Sequence, residues 1–150
     1  MTHDPRLAPG CILLANAFYA DSASGQLRPK YVLVLAHGRR SGDLVWRLLT
    51  SRRHGRPEIP ACYHGDPYPG FHLGVICPEV GLKKQTWLDL RGLDDGDIAE
   101  ACAHLASGRL QHIFSLNLAQ CREASLCVAA ADDTTMEQET SIRDQLASNE

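Results

Sequence analysis

The chain has 150 residues, of which 44% are hydrophobic and 22% are charged, and its formal net charge is −3. These values are typical of one soluble globular domain with a single sizeable core. No apolar stretch approaches the ~20 residues of a membrane span, so we expect no membrane partner.

The charge is distributed unevenly along the chain. From residue 28 to residue 56 there are eight Lys or Arg side chains and one acid, Asp43. From residue 121 to residue 150 there are seven acids and two bases, a net charge of −5, which leaves +2 for residues 1–120. A basic middle followed by an acidic end is compatible with a polyanionic partner, and also with two solvated surfaces.

Six cysteines stand at positions 11, 62, 77, 102, 121 and 127, and none forms a Cys-x-x-Cys pair. Several lie in apolar runs, where a thiol behaves as a small hydrophobe, so we expect free thiols in a reducing, cytoplasmic compartment. Cys62, His64, His72 and Cys77 are potential zinc ligands, but their spacing fits no standard site. We therefore predict no metal.

The first 20 residues permit two interpretations. Arg6 precedes an apolar stretch ending in "NAFYA", which loosely resembles a secretory signal peptide. Pro9, Gly10 and Asn16 interrupt that stretch, so a continuous apolar segment is missing. We expect a first β-strand there instead.

The next 70 residues predict short strands separated by turns. "CILLANAFYA", "YVLVLA" and "LVWRLLTS" read as strands, and the second is apolar enough to be buried on both faces. The Pro- and Gly-rich segment 52–70 excludes continuous regular structure, and "FHLGVICP" and "QTWLDL" are shorter strands. Many short strands with Gly/Pro turns predict a small antiparallel barrel or sandwich over residues 9–91, with five or more strands.

A helical period replaces the strand pattern after residue 94. Asp94 or Asp95 is a candidate N-cap, and Gly108 a candidate left-handed C-terminus. We predict one helix before Gly108 and a second over "RLQHIFSLNLAQC". Their apolar stripes are Ile98, Cys102 and Leu105, then Leu110, Ile113, Phe114 and Leu118. The fold class is therefore α+β, mainly β, with the barrel and its C-terminal helices in residues 1–121.

The remaining residues, 122–150, are predicted to be an acidic and flexible tail. Apolar density falls after Val128, so the segment has little surface to bury against the entropy cost of ordering. Such a tail can visit the basic middle of the chain or remain solvated.

The order of these segments resembles the MazF/PemK/Kid family of toxins over roughly residues 8–120. The matching pieces are "PGCILLANA", "LRPKYVLVL", "LVWRLLTS", "GLKKQTWLDLRGLDDGDI" and "GRL". The resemblance implies an SH3-like barrel, usually a homodimer, that cleaves single-stranded RNA without a metal or other cofactor. It also implies a cognate antitoxin protein as the controlling partner.

The resemblance implies roles for individual residues. Arg28 matches the family's arginine, and a guanidinium can hold two oxygens of the phosphate on which negative charge grows. Thr50 matches its catalytic threonine, with the Ser51 hydroxyl beside it. Basic and polar neighbours suited to the RNA backbone are Gln26, Arg52, Arg53 and Arg56.

One departure from the family leaves the general base open. Many members carry an acid in the first loop, where this chain has "ADSASGQLRP" with Ala23 near the expected position. Candidate bases are Asp21, His37, His54 and His64. The alternative function is a catalytically inactive SH3-like module that binds RNA or a protein peptide in the same groove. Trp46 and Trp87 are candidates for base stacking or, more simply, for core packing.

Overall fold

The computed structural model describes residues 4–20, 27–38, 42–80 and 82–148. Within them lie eight antiparallel strands and three α-helices. The strands are β1 (Cys11–Ala20), β2 (Leu27–His37), β3 (Asp43–Thr50), β4 (Cys62–Tyr63), β5 (Gly70–Gly74), β6 (Thr86–Asp89), β7 (Gly96–Asp97) and β8 (Leu110–Ser115). The helices are α1 (Ile98–Ser107), α2 (Leu118–Ala129) and α3 (Met136–Ser148).

The strands form one sheet in the order β4-β5-β6-β3-β2-β1-β8, and β7 pairs with β3. The predicted α+β class with a mainly antiparallel sheet is confirmed. In the described residues the sheet is open, with β4 at one end and β8 at the other, so a closed barrel is not shown. No helix in this part of the chain combines the length and apolar character that a membrane span requires.

Strand β2 is buried on both faces, as its composition predicts. Val32 and Val34 belong to an apolar cluster that α1 completes with Ala101 and Leu105. Residues 33 and 35, both Leu, belong to a second cluster on the opposite face, completed by α2 and α3. This alternation follows from the two-residue period of a strand, and it makes β2 the centre of a three-layer arrangement.

The first predicted helix after residue 94 is present, but its predicted N-cap is wrong. The N-cap of α1 is Asp97, whose carboxylate accepts the Glu100 N–H at 2.8 Å, and not Asp94 or Asp95. Gly108 ends α1 with φ 83°, as expected for a left-handed C-terminus.

The helix predicted over residues 109–121 is replaced by strand β8 and the start of α2. Strand β8 pairs antiparallel with β1, including the register Ile12↔Phe114. Apolar residues spaced by three or four positions permit a helix, but a strand here satisfies the backbone groups of β1 that would otherwise be an open edge.

The predicted flexible tail is also wrong for residues 122–148, because they form most of α2 and all of α3. The proposed boundary between residues 121 and 122 falls inside α2. Ile142 of α3 is 0% exposed and belongs to the cluster with Val128. Few apolar residues suffice here because Ile142 is placed against a core that the sheet already forms. Residues 136–148 are therefore not a mobile tail that could visit the basic residues 28–56.

A buried arginine connects α3 to the sheet. Arg47 of β3 is fully buried, and its Nη2 donates to Gln138 Oε1 of α3 at 2.9 Å. Its Nη1 donates to the backbone oxygens of Trp46 and Leu93. Gln138 in turn donates through Nε2 to Asp95 Oδ1 at 2.8 Å. The polar side of α3 is thus specified by a network as well as by apolar packing.

The expectation that all cysteines remain free thiols is wrong for one pair. Cys62 of β4 and Cys127 of α2 form a disulfide across 65 positions of sequence. Cys11, Cys77 and Cys102 are free, as is residue 121. No spacing rule identifies this pair, because it depends on β4 being placed against α2.

The packing of α3 is tested by a pair of substitutions on that helix. Ile142→Ala should lower the free energy of unfolding by about 3 kcal/mol, because it empties a fully buried position. Met136→Ala is the matched control, since Met136 is 84% exposed and its truncation should be nearly neutral. Urea unfolding measures both. Equal, negligible effects would mean that residues 136–148 do not pack on the sheet.

Candidate nucleic-acid interface

A groove of about 370 Å³ lies where three strands come together. The register Val32↔Leu48 places the start of β2 beside the end of β3. The pair Thr50↔Trp87 places the start of β6 on the other side of β3. We call this the basic groove. Its polar lining residues are Lys30, Tyr31, Thr50, Ser51, Arg52, Lys83, Lys84 and Thr86.

The basic groove combines the hydroxyls of Thr50, Ser51, Thr86 and Tyr31 with four cationic side chains. Thr50 Oγ1 accepts the backbone N–H of Arg52 at 3.1 Å, so its own O–H remains able to donate. Ser51, Arg52, Lys83 and Lys84 are all exposed. Among the described lining residues there is no carboxylate and no imidazole. The chemistry of this surface suits an anion that needs both charge and hydrogen-bond donors.

Lys30 differs electrostatically from an ordinary surface lysine. Burial lowers its pKa below the usual lysine value, and the positive charge of Arg52 acts in the same direction. The carboxylate of Asp89 opposes this shift, and the charge of Arg91 adds to it. Lys30 therefore releases its proton more readily than a solvated lysine does.

An ion cluster acts on Lys30 through its charges, with Asp89 and Arg56 buried and Arg91 half-exposed. Arg91 donates from Nε and Nη2 to the Asp89 carboxylate at 2.7–3.1 Å, and its backbone N–H adds a fourth bond. Arg56 Nη2 lies 3.6 Å from the same carboxylate. Burial alone would raise the pKa of Asp89, but the hydrogen bonds and charges of the two arginines outweigh it and lower the pKa overall. Asp89 is thus held as an anion.

The three arginines predicted to contact RNA lie in three different environments. Arg52 is exposed and lines the basic groove, and its contact with RNA stays a prediction. Arg53 forms an ion pair with Glu58 and lies over the Trp87 ring. Arg56 is 1% exposed, so its predicted contact with an RNA backbone is corrected here to an internal one.

Arg56 instead positions the segment that carries Arg52. Its Nη1 donates to the Arg52 carbonyl at 2.9 Å, and its Nε donates to the Pro69 carbonyl at 3.1 Å. Gly70 is required beside it, because a Cβ there would lie 2.6 Å from Arg56 Cδ. The guanidinium therefore connects the groove's rim to the Asp89 cluster.

Three predicted residues lie wholly or partly outside what the structure describes. Arg28 is in β2 and its backbone pairs with Tyr19, but its side chain lies outside the described part. Asp21 and Gln26 lie outside the described residues altogether. Because Pro29 lines the basic groove, Arg28 is adjacent in sequence to its rim.

None of the three candidate histidine bases lines the basic groove. His37 stands at the far end of β2, where its Nε2 contacts the Leu7 carbonyl at 2.9 Å. His54 stacks on Tyr68 with ring centroids 4.3 Å apart. His64 contacts the Cys127 carbonyl through Nε2 at 3.0 Å. The sequence order of these histidines carries no information about which strand end each one reaches.

The tryptophans pack against the protein. Trp87 is buried, and its Nε1 donates to the Pro57 carbonyl at 2.9 Å. Trp46 packs against the apolar cluster that α1 completes, and its Nε1 donates to the Asp94 carbonyl at 3.2 Å. Core packing is the better interpretation for both.

A larger cavity, of about 460 Å³, lies beside Trp46 and is unsuited to a polyanion. Four carboxylates line it, against His104 and Arg109 as basic groups. The acidic residues are Asp43, Asp95, Asp97 and Glu100. The basic groove is therefore the better candidate site, although it is smaller.

Several groove residues escape sequence reasoning based on single motifs. Lys83 and Lys84 precede β6 and look like ordinary turn lysines. Lys30 and Asp89 are far apart in sequence, yet the carboxylate of Asp89 acts on the pKa of Lys30. The available signal was the piece "GLKKQTWLDL", which places two lysines directly before a strand that ends in an acid.

The four potential zinc ligands suggested by the sequence do not come together in the structure. His72 Nε2 lies 2.7 Å from Gln85 Oε1, and Cys77 Sγ donates to Glu79 at 3.1 Å. The cysteine–histidine group that does come together is Cys62, His64 and Cys127.

Comparison with protein-family models, with curated proteins and with solved structures found no match to this chain. The geometry of the basic groove and the sequence pattern therefore carry the functional argument.

The Asp89 cluster predicts a pH-dependent stability. Because the folded-state pKa of Asp89 is lowered, its stabilising contribution is present above the ordinary aspartate range and is lost as the pH falls below about 4. Asp89→Asn should cost roughly 3 kcal/mol at neutral pH, because Arg56 is left buried without its anion. It should also flatten the loss of stability in acid.

Urea unfolding between pH 3 and 7 measures both effects. Asp144→Asn is the control, since Asp144 is exposed on α3. An Asp89→Asn profile parallel to that of the wild type would show that this carboxylate does not couple folding to pH.

Proposed function

We propose that this chain is a metal-independent endoribonuclease of the MazF/PemK/Kid type, which cleaves single-stranded RNA in the basic groove. The observation that carries the proposal is the meeting of the Thr50 and Ser51 hydroxyls with four cationic side chains in one groove. The proposal includes the SH3-like barrel and the homodimer that the resemblance implies, and the cytoplasmic location expected from the cysteine pattern.

The proposed reaction is a transfer within the RNA. The ribose 2′-oxygen attacks the neighbouring phosphorus, its proton passes to a base, and the bond from phosphorus to the 5′-oxygen breaks. The products are a 2′,3′-cyclic phosphate and a 5′-hydroxyl, which receives a proton. Negative charge grows on the phosphate oxygens, where Arg28 and Thr50 are proposed to donate. Arg52, Lys83 and Lys84 are proposed to hold the neighbouring phosphates.

The same groove is the proposed target of the antitoxin. A cognate antitoxin segment rich in carboxylates would compete with RNA for the cations of the basic groove. The acidic C-terminal segment of the present chain is not available for this role, because residues 136–148 are packed as α3.

One observation favours a second function, an inactive module that binds RNA or a peptide. The described lining residues of the basic groove include no carboxylate and no imidazole to accept the 2′-hydroxyl proton. Binding requires only the cations and hydroxyls, whereas cleavage requires a base as well.

Cleavage is tested on the purified chain with single-stranded RNA in EDTA. We expect a cyclic phosphate on the 5′ product, detected by mass spectrometry. Thr50→Val should lower the cleavage rate by about 10²–10³, because it removes a hydroxyl at nearly constant shape. Thr50→Ser is the matched variant and should retain most of the activity. Arg28→Ala should cause a loss of similar size.

Arg143→Ala is the control for a general loss of positive charge, since Arg143 lies on α3 in an exposed pair with Glu139. RNA that is bound but never cut, over varied sequences, would select the binding module. Full activity in Arg28→Ala would exclude this site for cleavage.

Two substitutions distinguish whether Lys30 supplies only positive charge or also transfers a proton. If Lys30 only supplies charge, Lys30→Arg should retain the cleavage rate and Lys30→Gln should reduce it. If Lys30 transfers a proton, both should be slow, because arginine stays protonated. Since the pKa of Lys30 is lowered, proton transfer would also appear as a limb in the wild-type pH–rate profile below the usual lysine range. Wild-type rates in both variants would remove Lys30 from the reaction.

A further inference from the structure

Two cysteines and a histidine converge where β4 meets α2. Cys62 begins β4, His64 follows two residues later, and Cys127 comes from α2. The ligand atoms of all three lie within 4.8 Å of one another. His64 Nε2 lies 3.5 Å from Cys62 Sγ and 3.6 Å from Cys127 Sγ.

We propose that this cluster is a redox-gated zinc site, which binds a thiophilic divalent cation when the Cys62–Cys127 disulfide is reduced. Two thiolates and an imidazole are the ligands that zinc prefers over magnesium or calcium. The site is separate from the basic groove and does not depend on the proposed ribonuclease function.

The geometry of the disulfide form is already close to that of a metal site. Tetrahedral zinc with its usual bond lengths separates a sulfur ligand from a nitrogen ligand by about 3.6 Å, and two sulfurs by about 3.8 Å. Both sulfur–nitrogen distances here, 3.5 and 3.6 Å, meet the first requirement. Only the two sulfurs must separate, which is what breaking their bond allows.

Reduction of the disulfide precedes binding of the cation. A dithiol reductant gives two electrons and two protons to the sulfur–sulfur bond and itself becomes a disulfide. The cation then displaces the two thiol protons. His64 Nε2 turns its lone pair to the cation, its proton resides on Nδ1, and the contact with the Cys127 carbonyl is given up. Because His64 is exposed, water can reach the fourth position.

The surroundings favour a cation. His64 also lines a small cavity that contains the carboxylates of Asp66, Asp132 and Asp133, against the single guanidinium of Arg91. Three anions against one cation leave a local negative charge, which a divalent ion offsets.

The test uses the full chain, reduced by a phosphine and titrated with Co²⁺ as a spectroscopic probe. We expect one equivalent to bind with thiolate charge-transfer and tetrahedral d–d absorption, and Zn²⁺ to displace it. The oxidised chain should show neither band. Cys62→Ser, Cys127→Ser and His64→Gln should each weaken binding by more than about 10-fold, the least that even an outer-shell partner typically contributes. Cys77→Ser and His72→Gln are controls and should bind like the wild type.

A second measurement does not depend on variants that fold well. In the reduced wild type, Zn²⁺ should protect two thiols from alkylation, and peptide mapping should assign them to Cys62 and Cys127. A reduced wild type that binds no Co²⁺ would overturn the proposal. So would Zn²⁺ protection of Cys77 or Cys102 in place of this pair.

Discussion

The burial of Arg47 is the constraint on which much of this structure depends. A guanidinium at the centre of β3, on the face that otherwise carries Val45 and Leu49, cannot be left without acceptors. Backbone carbonyls accept from Nη1, and Gln138 of α3 and the Thr134 hydroxyl accept from Nη2. Burial lowers the pKa of Arg47, and the carboxylates of Asp95 and Asp133 oppose that shift. The C-terminal segment therefore contributes both an acceptor, Gln138, and a carboxylate, Asp133, to the surroundings of this arginine.

This pairing explains why composition misjudged the C-terminal segment. Hydrophobicity and net charge measure what a segment can bury by itself, whereas α3 contributes one fully buried side chain, Ile142, to a cluster that the sheet has already formed. Its polar residues are bonded internally, as Gln138 is to Asp95. The contact between Arg47 of β3 and Gln138 of α3 joins residues far apart in sequence, and neither residue type indicates it until the pairing is known.

The fold was predictable where a local period is decisive. In β2 the alternation of Val and Leu fixes both faces, and Gly108 fixes the end of α1. Prediction failed where the pairing of distant segments decides the secondary structure. Leu110, Ile113 and Phe114 fit a helix as well as a strand, and only the free edge of β1 selects β8. The candidate site was likewise predictable only in part. The motif pointed to Thr50 and Arg52, but whether Arg52 or Arg56 faces solvent depends on Asp89, which lies on another strand.

The link between Cys62 and Cys127 also divides the chain topologically. It closes a covalent ring that contains β5 to β8 and α1, while β1 to β3 lie outside it. The exposed turn at Val75 to Val80 lies inside this ring. A protease that cuts there produces two fragments that stay joined, and the fragments share strands of one sheet. The molecule can therefore be nicked in this turn without separating into pieces, as long as the two sulfurs remain bonded.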